Sequence, residues 1–212
     1  MTFENKIIIF DDFIDKEYQE KIKKELLGSE DNVYQGFPWF YIEDVTAAYD
    51  EGSQHRCGLA HNYVDLPDEL IKFDLSTSIL KQRRKLLGKV ISDYHELFIP
   101  LLKKVGLKCG VRDVKVLQGR SFLQFPIQRE RGEPDLPHID INNKIHIVGL
   151  YYVVDSDGDT VIYNEREESK TYTVKKRVTP KQGRIVIFDG GLYHTAEQPL
   201  NNTRCIVNYN IE

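Results

Sequence analysis

From Gly110 onward the chain breaks into short runs rich in β-branched and aromatic residues: VRDVKVLQ, RSFLQFPI, KIHIVGLYYVVD, TVIYNE, KTYTVKKRVT, GRIVIFDG and TRCIVNYNI. Gly, Asp, Asn and Pro punctuate them. That rhythm is the signature of an antiparallel sandwich or barrel.

The first 110 residues have a different texture. KIIIFDDFI reads as a short strand entering a turn, and Asp15 is a ready N-cap for a helix DKEYQEKIKKELLG. Tyr18, Ile22, Leu26 and Leu27 are spaced for one face of it, and Gly28 lies near its end. From Asn32 to Asp65 the pattern is irregular, with the aromatic cluster FPWFYIEDV and the polar loop YDEGSQHRCG. Apolar residues then recur at three- and four-residue steps, which predicts a long helix over Ser76 to Val105. Pro100 should kink or divide it, and Gly106 should close it. The expected architecture is α+β: residues 1–110 form mainly helical support and residues 111–212 an all-β core. With 212 residues, 41% of them hydrophobic, and no linker, a single domain is expected.

Charge and cysteine usage narrow the partners. The net charge of −4 offers no broad basic face for nucleic acid. The one basic cluster, KQRRK, falls in the helical pattern and fits a solvated face. Three cysteines with no CxxC spacing fit free thiols in a reducing compartment. The start, MTFENKIIIFDDF, has an apolar run far too short for a signal peptide or membrane anchor. A cytoplasmic protein without a membrane partner is expected, of unspecified oligomeric state.

Within LPHIDINNKIHIVGLYYVV, His138 and Asp140 stand two residues apart on an extended segment, so both side chains point one way. An HxD pair alone is weak, since chance gives about one in every two such sequences. A third ligand must come from elsewhere. His194, in GGLYHTAEQP just past the strand GRIVIFDG, lies where a barrel strand would return to the same mouth. His146 is too close along the chain to meet the pair without an awkward bend, and His55, His61 and His95 fit solvent-facing or packing roles. Two imidazoles and one carboxylate on one face of an ion suit non-haem Fe(II). A structural zinc site would want four ligands and more sulfur.

Arg204 follows His194 by ten residues, at the head of TRCIVNYNI. By alternation Arg204, Ile206, Asn208 and Asn210 share one face, and Cys205, Val207, Tyr209 and Ile211 the other. An arginine facing a barrel interior needs an anion, such as the carboxylate of a ligand; an exposed rim position is the alternative.

His138, Asp140, His194 and Arg204, in that order and spacing, resemble the Fe(II)/2-oxoglutarate-dependent dioxygenases, the prolyl 4-hydroxylase-like branch most of all. The match runs from about Val111 to the end, and IIIFDDFIDKEYQEKI is similar to that branch's N-terminal start. LYYVVDSDGDTVIY looks like the family's central hairpin, with Tyr152 on the tyrosine that reaches 2-oxoglutarate and Gly158-Asp159-Thr160 in place of a GGT-like turn. The resemblance puts Arg204 on the distal carboxylate of 2-oxoglutarate. Phe125 falls near a position where the family often has a cosubstrate tyrosine, without its hydroxyl. Gln124 would point to the other face of a regular strand, leaving Asn208 as a substitute.

The resemblance implies a double-stranded β-helix, or jelly roll, with helices packed on one sheet. It implies Fe(II), 2-oxoglutarate and O2, with ascorbate as a possible auxiliary, and oxidative decarboxylation coupled to C–H hydroxylation. A prolyl residue of a peptide or protein is the first substrate it suggests. The alternatives are a small molecule, such as an amino acid or sugar precursor, and a non-catalytic jelly-roll binding module. Trp39 and Tyr41 are candidates for lining a substrate groove, against plain aromatic filling between helix and barrel. The loop Gln128–Pro137 is placed to act as a lid.

Overall fold

A computed structural model describes residues 3–29, 36–43, 45, 56–66, 88–126, 135–142 and 144–212. Its strands are β1 (Ile7–Phe10), β2 (Phe40–Ile42), β3 (Gly58–Asp65), β4 (Lys89–Val90), β5 (Val116–Gln124), β6 (Ile147–Tyr152), β7 (Thr160–Tyr163), β8 (Val174–Val178), β9 (Ile185–Asp189), β10 (His194–Ala196) and β11 (Arg204–Ile211). The helices are α1 (Lys16–Leu27) and α2 (Ile99–Cys109). The larger sheet runs β1-β9-β6-β11-β5-β3-β2, with β4 beside β3, and the smaller runs β10-β7-β8. Every ladder is antiparallel. The core is the expected jelly roll, two facing sheets with helices on the outer face of one.

Strand periodicity explains the packing. Val148, Leu150 and Tyr152 of β6, Val186 and Phe188 of β9 and Ile206 of β11 meet Ile162 and Val178 of the smaller sheet. The opposite side chains, Tyr151, Ile185, Ile187, Cys205, Val207 and Tyr209, meet Ile22 and Leu26 of α1 and Leu101, Leu102 and Val105 of α2. The centre of the larger sheet is therefore apolar on both faces. Each fully buried Ile or Leu there contributes about 1.5–3 kcal/mol.

Helix α1 begins and ends as its residues predict. The Asp15 carboxylate accepts from the Tyr18 backbone N–H at 2.9 Å, and Gly28 takes φ 79° just past the end. Buried Gln19 stands on its inner face and donates to the Ile14 carbonyl at 2.8 Å, while Leu27 lies half out at 38% exposure.

The structure differs from expectation in three places. The expected helix does not reach back through residues 88–92, where Lys89–Val90 forms β4 against β3. Pro100 divides the rest, occupying the first turn of α2, where its missing N–H costs nothing, after a 3-10 segment, Asp93–Phe98. Gly106 lies inside α2 rather than closing it, because Val114 packs where a side chain would stand; Gly110, at φ 72°, is the cap. The N-terminal part also contributes sheet: β1 pairs with β9 and β3 with β5, so the strands of residues 1–110 flank the core on both sides. The expected helix before residue 88, with KQRRK, lies outside the described residues.

Candidate metal centre

His138 and His194 meet at an isolated antiparallel bridge, with His138 N–H donating to the His194 carbonyl at 2.9 Å and the reverse bond at 3.0 Å. Each ring then folds back on its own strand. Nδ1 of His138 lies 3.2 Å from the Leu136 carbonyl, and Nδ1 of His194 lies 3.1 Å from that of Leu192. A carbonyl only accepts, so both Nδ1 atoms carry the proton and both Nε2 atoms keep a lone pair. Asp140 completes the group: Oδ1 lies 3.7 Å from His138 Nε2 and Oδ2 3.8 Å from His194 Nε2. The three ligand atoms lie within 4.8 Å of one another. Two ligands each about 2.1 Å from an ion can stand up to about 4.2 Å apart, so each carboxylate–imidazole gap is within a cation's span, and a separation near the 4.8 Å limit closes with a small inward turn of a ring.

Electrostatics keep the donors in binding form. Burial pushes His194 down to about 4, with the neighbouring His138 adding to the effect, so the ring stays neutral near neutral pH. Burial alone would raise Asp140, but Arg120 and the two imidazoles hold its carboxyl well below the usual range. Asp140 Oδ1 accepts from Arg120 Nη2 at 2.6 Å, and Oδ2 from Asn208 Nδ2 at 3.0 Å.

Arg204 is buried in the same cavity, a space of about 510 Å³ that also takes in the triad. Its Nε donates to the Gly158 carbonyl at 3.0 Å, Nη1 to Gln124 Oε1 at 2.6 Å and Nη2 to Thr160 Oγ1 at 2.9 Å. All three acceptors are neutral, and burial pushes the guanidinium's pKa down. A buried cation held by neutral groups, with no described carboxylate in ion-pair range, calls for an anion from outside.

Other expected residues fall differently. Phe125 lies past the end of β5 at 42% exposure, and Gln124 faces the cavity instead, opposite Arg204 in the β5–β11 register. Asn208 lines the cavity but grips Asp140. The Tyr152 hydroxyl donates to Thr160 Oγ1 at 2.8 Å, so it supports the arginine's partner from behind and does not line the cavity. The segment after β6 is not a hairpin, because β6 and β7 belong to different sheets and the chain crosses between them. Trp39 packs on Phe37 and donates from Nε1 to the Leu26 carbonyl at 2.9 Å, as aromatic filling does. Tyr41 is 70% exposed and off the cavity, which Ile42 lines instead. His61 sits among Phe37, Tyr63 and Tyr94, and His95 bonds the Tyr209 hydroxyl, both packing roles. His146 is buried, with Nδ1 on the Lys144 carbonyl, and stands outside the ligand group. His55 and residues 128–134 of the expected lid lie outside the described residues. Gln124, Thr160 and Arg120 were missed; the alternation applied to TRCIVNYNI, applied also to RSFLQ, would have put Arg120, Phe122 and Gln124 on the cavity side.

The donor set fits a divalent iron. Two imidazoles and a carboxylate on one side of a cavity leave its remaining positions open toward that cavity, with Arg204 in the same space. No model of a known protein family matches the sequence, and no curated protein does either. Solved structures do match along nearly the whole chain. An oxidoreductase of the 2OG-Fe(II) oxygenase family from Burkholderia pseudomallei matches with TM-score 0.64 at 12% identity, covering 97% of this chain and 84% of its own. The fold is that of the 2OG-Fe(II) oxygenases. The same oxygenase fold appears in the non-heme alpha-ketoglutarate-dependent carbocyclase SnoK from nogalamycin biosynthesis, with TM-score 0.58, 12% identity and coverage of 98% and 79%. It appears also in a prolyl-4-hydroxylase from Pseudomonas putida, with TM-score 0.51, 13% identity and coverage of 97% and 92%.

Proposed function

We propose that the chain is an Fe(II)- and 2-oxoglutarate-dependent oxygenase that acts on a small organic molecule. The observation that carries the oxygenase reading is the union, in one cavity, of the His138–Asp140–His194 group with a buried arginine whose described partners are all neutral. Iron with 2-oxoglutarate and O2 supplies oxidative decarboxylation, giving succinate and CO2, together with the oxidising power to attack a C–H bond.

The chain's own part is binding, orientation and exclusion of water. His138, Asp140 and His194 hold the ion, and their Nδ1 protons are parked on backbone carbonyls so that Nε2 faces it. Arg204 holds the distal carboxylate of the cosubstrate, while Gln124, Thr160 and the Gly158 carbonyl fix the plane of its guanidinium. Phe122, Leu150 and Ile206 give the cavity dry walls. No protein nucleophile or acid–base pair is needed.

The prolyl-peptide reading rests on resemblance and on a fold shared with a prolyl-4-hydroxylase. A specific observation favours the small molecule: neither aromatic expected to line a peptide groove lines the cavity, since Trp39 packs on α1 and Tyr41 points to solvent. A shared fold with a carbocyclase of nogalamycin biosynthesis agrees with that preference.

The test is anaerobic addition of Fe(II) and 2-oxoglutarate. A visible charge-transfer absorption should appear and should vanish in His138→Ala and Asp140→Ala proteins; in air, slow succinate release should follow without added substrate. No metal-dependent 2-oxoglutarate binding would leave only the non-catalytic module. A gain of one oxygen in proline-containing peptides, with none in small molecules, would return the substrate to the peptide class.

A further inference from the structure

Arg120 has no place in the reading just given, yet it stands beside the metal ligands. It projects from β5 opposite Asn208 in the β5–β11 register, lines the cavity and is braced by the Phe122 ring 5.1 Å beneath its guanidinium. Its one hydrogen bond among the described residues goes from Nη2 to Asp140 Oδ1. Nε is buried and has no acceptor, and the side chain is 22% exposed, so the group is half withdrawn from water without being satisfied. Asn208 beside it is 4% exposed and leaves Oδ1 buried and unbonded.

As a mere support for Asp140 this arginine is a poor choice. A cation on the ligating carboxylate draws off negative charge that a dication needs, and it repels that dication at short range. The arrangement becomes favourable when a further anion sits on Arg120. Charge balance in the loaded cavity says the same. Among the described residues, the acids lining the cavity are Asp135 and Asp140, and Asp135 is already committed to buried Arg56 and to Gln198. A divalent ion with Arg120 and Arg204, set against Asp140 and the dianion 2-oxoglutarate, leaves one positive charge unmatched. Arg204 faces the cosubstrate, so the free capacity is at Arg120.

We propose that Arg120 is the docking point for a carboxylate carried by the substrate, which makes the protein an oxygenase of a small carboxylic acid and fixes that acid's C–H bond beside the metal group. The inference rests on the oxygenase reading. A guanidinium whose Nη2 is tied to Asp140 and whose stem lies on Phe122 is preorganised, and its remaining donors can meet a monoanion in a charge-assisted pair. A single carboxylate matches the single unmatched charge; a phosphate dianion would overshoot it.

The experiment uses the anaerobic protein loaded with Fe(II) and 2-oxoglutarate. Free amino acids, other short organic acids and their matched carboxamides are titrated in, and the shift of the visible absorption reports binding without turnover. At least one acid should bind about tenfold or more tightly than its amide, the margin a charge-assisted bond gives. Arg120→Gln should erase that preference and Arg120→Lys should keep part of it, each read as the ratio of acid to amide binding against that variant's own absorption before acid is added. A residue that only positions Asp140 would not produce a preference between acid and amide. Equal binding of acids and amides, a preference that survives in Arg120→Gln, or no binding by any acid in the panel would overturn the inference alone. Failure of the absorption to form in the unsubstituted protein would sink the oxygenase reading and this inference with it.

Discussion

His138 and His194 bond each other through the main chain in both directions, so the imidazoles are placed by a strand pair and not by contacts of the rings themselves. The same segment is fastened again where Asp135 N–H meets the Ala196 carbonyl at 3.0 Å and Thr195 Oγ1 meets the Asp135 carbonyl at 2.6 Å. His138, with a side chain 47% exposed, is therefore removable without loss of the fold. His138→Ala should unfold within a few degrees of the unsubstituted metal-free protein. A divalent ion at about a hundred times its dissociation constant should stabilise the unsubstituted protein by about 2.7 kcal/mol, and the variant far less. Thermal melts with and without Mn(II) check this.

Arg204→Met separates anion binding from folding. The described partners of the buried guanidinium are all neutral, so an apolar side chain of similar length should leave the cosubstrate-free protein close to its original stability. The KM for 2-oxoglutarate should rise by about 30-fold or more, as for loss of a buried charged partner. Urea unfolding and steady-state succinate formation read the two effects.

Gly158 acts on the same arginine from the backbone. A Cβ there would stand 2.6 Å from the Glu197 carbonyl and 3.1 Å from Arg204 Cδ, and the Gly158 carbonyl already holds Arg204 Nε. Gly158→Ala must move one of them, so the KM for 2-oxoglutarate should rise by about tenfold. Metal affinity, measured by Mn(II) titration, should not change.

The three thiols should react in a fixed order. Cys57 is exposed and should be modified first. Burial pushes Cys109 up to about 11, partly offset by Lys6, which leaves it about 100-fold poorer in thiolate at pH 8 than an ordinary cysteine. Raising the pH lowers the proton occupancy of that group, so its rate should climb about tenfold per unit from pH 8 to pH 10. Cys205 is buried, and its thiol is pushed up further still, so it should react only on unfolding. Timed mass spectrometry with a thiol reagent distinguishes the three.

Much of the centre was legible because its signals are local. His138 and Asp140 share a side by backbone alternation, and TRCIVNYNI sorts itself into a polar and an apolar face that the structure reproduces. The helix DKEYQEKIKKELLG carried both its caps. What stayed hidden depends on partners distant in sequence. Gln124 and Arg120 acquire meaning only from their register with Arg204 and Asn208. The strand Gly58–Asp65 read as irregular because its inward positions mix Ala60, His61, Tyr63 and Val64, and polar His61 is tolerated only through bonds to Ser92 and the Pro38 carbonyl. Gly106 reads as a helix end because a glycine packed under the side chain of Val114 is a tertiary fact.

Strand β11 lies between β5 and β6, at the middle of the larger sheet, although it is the last strand along the sequence. A ribosome therefore delivers the flanking strands first, and they have no common neighbour until residues 204–211 emerge. The guanidinium of Arg204 arrives in that same closing segment, so a nascent chain has no buried arginine to offer an anion before its sheet is whole. Shortening the chain ahead of β11 should yield insoluble material, not a weakened catalyst.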